Sequence, residues 1–305
     1  MKKNVLLLVL FCILTIGCIG TVILGEYFDI PGIASISGIF LGFVLLGDYN
    51  LVNTIFIDKT DWKISERYLR KTKKINKESL IRVSLAYLYR IELDGKYVLI
   101  KNSRKTGKFQ PVGGVYKYTE TEINYLKTNF MIEPDDKINN DVISSKDYRF
   151  YLKDKDLRKF YKHFEKQKEL RENEHDLSRE FVEEILTEYN IGCKQFGSLA
   201  YSFVARFINF GYTSVYQCYE LVLADILDVH LDEKQKTTIR EICKNNKKDF
   251  LLASTNDILS QGVNLSKGEN QTIISNHSWK ILPSKIEEAT YQYKNSKVVV
   301  NLNNK

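Results

Sequence analysis

Hydrophobic and polar positions divide the chain sharply. From Val5 to Gly25, 21 residues pass without a charge, and from Ile30 to Gly47 another 18 do so. A helix needs about 20 apolar residues to cross a hydrocarbon core of about 30 Å. The first run meets that length; the second is short, and Leu51 to Ile57 extends it. Only Glu26-Tyr27-Phe28-Asp29 separates them. The pattern therefore predicts a tight antiparallel hairpin of two transmembrane helices, about 5–25 and 30–48, within residues 1–50. Residues 51–78 read as a basic juxtamembrane connector, and 79–305 as one water-soluble domain.

Within that domain, Ile81 to Glu92 is rich in branched and aromatic residues and reads as a strand. Asp94-Gly95 is a hairpin-turn signal, and Lys96 to Lys101 returns as the partner strand. Residues 116 to 176 are long and polar, but Leu157, Phe160, Tyr161 and Phe164 recur at helical spacing. A second helix is expected over Arg179 to Tyr189. Leu199 to Phe210 and Ser214 to His230 read as long strands, Asp232 to Asn245 as a helix, Phe250 to Ser254 as a short strand and Thr255 to Gln261 as a short helix. The tail from Val299 is too polar to assign. Strands mixed with a few helices predict a mixed α/β (α+β) domain with a curved sheet.

Charge orients the hairpin. Lys2 and Lys3 precede it, Lys59, Lys63, Arg67, Arg70, Lys71, Lys73, Lys74 and Lys77 follow it, and the link carries no Lys or Arg. Positive residues stay on the cytoplasmic side, so both termini are expected in the cytoplasm, in a multi-pass arrangement facing membrane lipids. The competing reading is a cleaved signal peptide, with Thr15-Ile16-Gly17-Cys18 near a cleavage pattern. The apolar run continues to Leu24 and a second follows at once, which favours the hairpin. Cys12, Cys18, Cys193, Cys218 and Cys243 have no metal-binding spacing and suit a reducing compartment. The net charge of +7 owes much to the connector, so no direct nucleic-acid binding is expected. Ala34, Gly38 and Gly42 place small residues on one helical face, for packing either against the first helix or against another subunit.

The informative chemistry is Arg179-Glu180-Phe181-Val182-Glu183-Glu184. On an α-helix Glu183 and Glu184 lie three and four residues after Glu180, so the three carboxylates share a face, while Phe181, Ile185 and Tyr189 dock on a sheet. Such a cluster suits a hard cation, Mg²⁺ or Mn²⁺, although a solvated acidic face is the ordinary explanation for a helix of this kind. Upstream, Pro111-Val112-Gly113-Gly114 forms a glycine turn, with Glu120 six residues after Gly114. Lys101 to Lys108, including Arg104, is a basic loop beside it, suited to phosphate and also typical of a solvated hairpin loop.

Together these phrases resemble the two halves of a Nudix box. Two features depart from it: 58 residues, 121 to 178, separate the halves where the family pattern has a short spacer, and Leu186 stands where the pattern has glycine. A two-helix hairpin followed by a Nudix-like domain with a split box resembles the SMODS-associated Nudix proteins, candidate effectors of bacterial CBASS antiphage defence. The resemblance implies a Nudix-like αβα sandwich with an insertion over about 116–177. It implies metal ligands Glu180, Glu183 and Glu184, catalytic roles for Arg179, Glu183 and Glu184 if the site is enzymatic, and ligand binding by Gly113, Gly114, Lys101 and Arg104. It further implies an inner-membrane homo-oligomer that senses a cyclic oligonucleotide made by a partner nucleotidyltransferase and disrupts the membrane. The alternative is a membrane-anchored Nudix hydrolase of nucleoside diphosphate derivatives, and enzymatic activity is left open.

Overall fold

The computed structural model describes residues 2–56, 62–102, 107–135, 146–263, 271–293 and 297–304. They divide between Ile64 and Ser65 into two compact units.

The first unit contains the helical hairpin. α1 (Lys2–Tyr27) and α2 (Pro31–Phe56) pack along one another. The chain reverses through Phe28-Asp29-Ile30. Asp29 adopts a left-handed φ of 55°, which a short polar side chain tolerates, and the Ile30 amide donates to the Gly25 carbonyl at 2.8 Å. Val9–Tyr27 is long and apolar enough to cross a membrane, whereas the apolar stretch of α2, Ser35–Leu46, is shorter. Among the described residues, the expectation of two full spans is therefore met by length and composition in one helix. Gly38 and Gly42 do not close a contact with α1: an added Cβ at either meets no atom within 4 Å.

The second unit starts inside α3 (Trp62–Lys71), in the segment expected to be a charged connector. Glu66 is fully buried there and pairs with Arg70 at 2.7 Å and with Arg158, while Arg70 pairs with the fully buried Asp154. These residues join α3 to α5 (Asp154–Lys166). Burial raises the Glu66 pKa against the opposing pull of both arginines.

β1 (Leu80–Arg90) is the central strand of an eight-stranded sheet. β9 (Cys218–Val229) pairs with it in parallel on one edge, and β5 (Gly113–Val115) and β7 (Arg149–Lys153) share the other edge, both antiparallel. β8 (Ser198–Thr213) pairs with β9 and also receives β11 (Tyr291–Gln292) and β12 (Lys297–Asn301). β6 (Glu133–Pro134) pairs with β7. Because both edges of β1 are taken, the predicted hairpin cannot close on it. The Asp94-Gly95 turn, with φ of 52° and 74°, joins β2 (Glu92–Leu93) to β3 (Lys96–Lys101) instead. That hairpin builds a separate four-stranded sheet with β4 (Phe109–Gln110) and β10 (Phe250–Ala253).

Side chains alternate across a strand. Ile81, Val83, Leu85, Tyr87 and Tyr89 are fully buried on the face covered by α5 and by the helix that begins at Ser178. Aromatic contacts fill this layer: Tyr87 to Tyr116 at 5.3 Å, Tyr116 to Phe164 at 5.7 Å, and Tyr89 to Phe181 at 5.9 Å. On the opposite face Leu88 packs with Trp279, whose ring lies 5.2 Å from Phe207. The expected insertion, 116–177, is thus partly structural: it supplies β7 to the main sheet, α5 to its cover, and α4 (Glu120–Phe130). The unassigned tail supplies β12, with Val298 and Val300 buried in alternation.

A buried charge cluster ties these segments together. Fully buried Asp225 accepts two bonds of 2.6 Å from Arg206, one of 2.6 Å from the Tyr116 hydroxyl and one of 3.1 Å from Tyr293. Removing one member of a buried pair strands the other and costs about 3–5 kcal/mol. Asp225→Ala is therefore expected to lower the unfolding free energy by about that amount. Breaking the exposed Lys236–Glu233 pair by Glu233→Ala should cost less than about 1 kcal/mol. Urea unfolding of the full chain in detergent, followed by intrinsic fluorescence, measures both.

Candidate functional site

The site begins where β5 meets β1, with Leu88 opposite Gly113 and Tyr87 opposite Gly114. Both glycines are required by close approach. A Cβ on Gly113 would lie 2.3 Å from the Tyr87 carbonyl oxygen, and one on Gly114 would lie 2.3 Å from the carboxyl end of Glu180. Glu180 therefore sits directly on the bare backbone of Gly114.

Glu180 is carried by α6 (Ser178–Phe181), which continues with π-helical winding over Val182–Thr187. Phe181 and Ile185 are fully buried, as the sequence pattern predicts, and the wider winding also buries Leu186, at the position where the box pattern has glycine. Tyr189 is half-buried, its ring 4.8 Å from Phe250.

Arg179 organises the carboxylates. Its Nε donates to Glu172 at 2.9 Å, and its Nη1 donates to Glu180 at 2.6 Å and to Glu183 at 3.3 Å. Glu172 also accepts from the Lys117 backbone amide at 3.0 Å. Burial raises the pKa of both Glu172 and Glu180, with Arg179 opposing it. Burial alone would weaken the Arg179 charge, but its bond to Glu172 and the charge of Glu180 more than offset that and raise its pKa. Two buried polar atoms beside this group have no hydrogen-bond partner, Arg179 Nη2 and the Tyr87 hydroxyl.

The predicted metal set is not assembled in this arrangement. Arg179 takes an oxygen of Glu180 and one of Glu183. Glu183 is otherwise half exposed, and Glu184 turns its Oε2 toward the Gly113 amide at 3.4 Å. Among the described residues no group of three or more His, Cys, Asp or Glu side chains is placed to hold a metal ion. Arg179 occupies one oxygen of Glu180 and one of Glu183, and the second oxygen of each remains for a divalent cation. Glu120 lies apart, exposed at the start of α4 and paired with Lys146. Lys101 is exposed at the end of β3 in the smaller sheet, and Arg104 lies outside the described residues. Sequence reasoning missed Glu172 and Tyr87, since nothing in their spacing marks them as partners of Arg179.

A Gly-Gly strand end closed by a helix that begins Arg-Glu and continues to a Glu-Glu pair is the arrangement of a divided Nudix box. The family model described as the SMODS-associated NUDIX domain matches residues 80–282. The chain belongs to that family. The match starts at β1 and spans both glycines, the long segment between the two halves, and Arg179 to Glu184, so the separation of the halves lies within the family's own domain. No curated protein and no solved structure matches the chain. Nudix domains are generally dependent on divalent metals.

The two glycines should respond differently to alanine. At Gly113 the added carbon meets backbone, so β5 must separate from β1. At Gly114 it meets the end of a side chain that can rotate. Gly113→Ala is expected to destabilise the protein by at least about 1 kcal/mol more than Gly114→Ala, as measured by thermal unfolding of the full chain in detergent.

Proposed function

We propose that this protein is a membrane-anchored effector of a CBASS-like antiphage system. Its NUDIX domain senses a cyclic oligonucleotide made by a partner nucleotidyltransferase, and its N-terminal hairpin assembles in the inner membrane and breaches it. The observation that carries this reading is the union of a SMODS-associated NUDIX domain over 80–282 with an exposed apolar helix, Val9–Tyr27, in one chain.

Two helices are too few to enclose a pore, so breach needs several copies. Gly38 and Gly42 leave open space on α2, room for the close backbone approach that small residues permit between membrane helices. A ligand drives assembly only by preferring the assembled state. Shifting a population from 1:99 to 99:1 takes about 5.5 kcal/mol of differential affinity.

Topology follows from the basic residues flanking the hairpin. A cytoplasm-active reporter fused after Lys305 is expected to report and a periplasm-active one to stay silent. The opposite result would remove the hairpin topology. Co-expression with a matching nucleotidyltransferase is expected to make cells take up a membrane-impermeant dye, and Gly38→Ile to suppress uptake. Uptake without the nucleotidyltransferase would sink the sensing step. Metal-dependent turnover of nucleoside diphosphate derivatives without dye uptake would favour the membrane-anchored hydrolase.

A further inference from the structure

Three segments from the C-terminal part of the chain line one cleft of about 200 Å³, which shares no residue with the Gly113–Glu180 contact. The first is a short helix, Thr255–Leu259, whose Ile258 and Leu259 form the apolar wall. The turn that follows it fixes Gln261. The φ angle is 54° there and 75° at Gly262. The Gln261 carbonyl accepts from the Ile273 and Ile274 amides at 3.1 and 3.0 Å, and the Gly262 amide donates to the Asp257 carbonyl at 2.7 Å. The second segment carries Asn276, next to Ser275, whose amide donates to the Phe109 carbonyl on β4 at 2.8 Å. The third contributes Trp279. Its half-buried ring packs against the core beneath the smaller sheet and also against Phe207 on β8, so the indole is held on two sides.

The lining combines an aromatic ring with amides that have nothing to bond. The side chains of Gln261 and Asn276 and the Trp279 indole N–H make no hydrogen bond among the described residues. A carboxamide presents a donor and an acceptor side by side, which matches the adjacent acceptors and donors on the edge of a base. An aromatic side chain takes the face of any base. Left-handed φ is uncommon for a residue with a Cβ, and glycine would adopt it freely, so what glutamine adds at 261 is its side chain in the cleft. The two charges of the lining, Lys285 and Glu288, pair with each other at 2.6 Å. They cancel, which favours a neutral group over an anion. Size decides how much of a ligand enters. Pockets that enclose a whole drug-sized molecule run to roughly 300–1,000 Å³, so this cleft takes one planar base and leaves sugar and phosphate outside.

We propose that this cleft binds a nucleobase, held against Trp279 and Ile258 with its polar edge bonded to Gln261 and Asn276. It deepens the sensing reading, on which it rests for the source of the base, by giving a cyclic oligonucleotide a pocket for one of its bases outside the divided box.

The test titrates the full chain in lipid nanodiscs with each of the common ribonucleoside 5′-monophosphates and with ribose 5-phosphate, read by intrinsic fluorescence. Trp62 and Trp279 are the chain's 2 tryptophans. At least one nucleotide is expected to quench the emission saturably, and ribose 5-phosphate to leave it unchanged. Trp279→Phe should remove the quench and Trp62→Phe should keep it. Asn276→Asp, which keeps the shape and loses the amide donor, and Gln261→Gly should each weaken that nucleotide about tenfold. Gln261→Gly should unfold close to the wild-type temperature, because glycine suits the left-handed backbone; this keeps loss of binding distinct from loss of fold. No quench by any of the nucleotides, an equal response to ribose 5-phosphate, or an affinity indifferent to both Asn276→Asp and Gln261→Gly overturns the pocket. Nucleotide binding that depends on both residues, in a protein that releases no trapped fluorophore from liposomes with any cyclic oligonucleotide, upholds the pocket and counts against the sensing reading.

Discussion

The contact on which the site depends is the seating of the Glu180 carboxyl end against Gly114. It requires glycine at 114, and it brings α6 so close to β5 that Arg179 meets Glu172, a residue from the far end of the long segment between the two box halves. The segment is therefore anchored at both ends. Its start pairs with its end through Lys117 and Glu172, whose backbones also bond at 2.8 Å, and its middle returns to the main sheet as β7. A long excursion of this kind is tolerable because the entropy of closing a loop grows only slowly with length.

The same economy of contacts appears in the buried charges. Asp225 collects Arg206, Tyr116 and Tyr293, so one carboxylate joins the long segment, the β8–β9 hairpin and the C-terminal part of the chain. Glu66 and Asp154 bind Arg70 and Arg158 where α3 meets α5. The polypeptide that leaves the helical hairpin enters the second unit through that ion cluster.

Much of the fold was legible because it is local. Branched and aromatic residues marked β1, helical spacing marked α5, and the helix expected over Asp232 to Asn245 is Glu233–Asn245, with Asp232 and Gln235 completing a capping box at its start. The Asp94-Gly95 turn was read correctly, and its hairpin closes on Glu92–Leu93, at the end of the expected strand, and not along β1. Which edge of β1 is free depends on β9 and β7, which lie far away in sequence. β12 was missed because five residues, Lys297–Asn301, reveal themselves only beside β8. At the site, Gly113 and Gly114 lie beside Glu180 and Arg179, the residues that the two motif halves singled out. Arg179 reaches across Glu180 and Glu183, a contact that the spacing of the motif does not reveal. Glu172 and Tyr87 carry no signal in the linear sequence.

The central claim is that a nucleotide signal is converted into loss of the membrane barrier by this chain alone. Its most direct test is release of a trapped fluorophore from liposomes of bacterial inner-membrane lipid composition that contain the purified protein. Addition of the cyclic oligonucleotide made by the partner nucleotidyltransferase should trigger release, with a steep dependence on the number of chains per vesicle, while the linear nucleotide of the same bases should not. Intact vesicles at saturating cyclic nucleotide, or equal release without any nucleotide, would contradict the account.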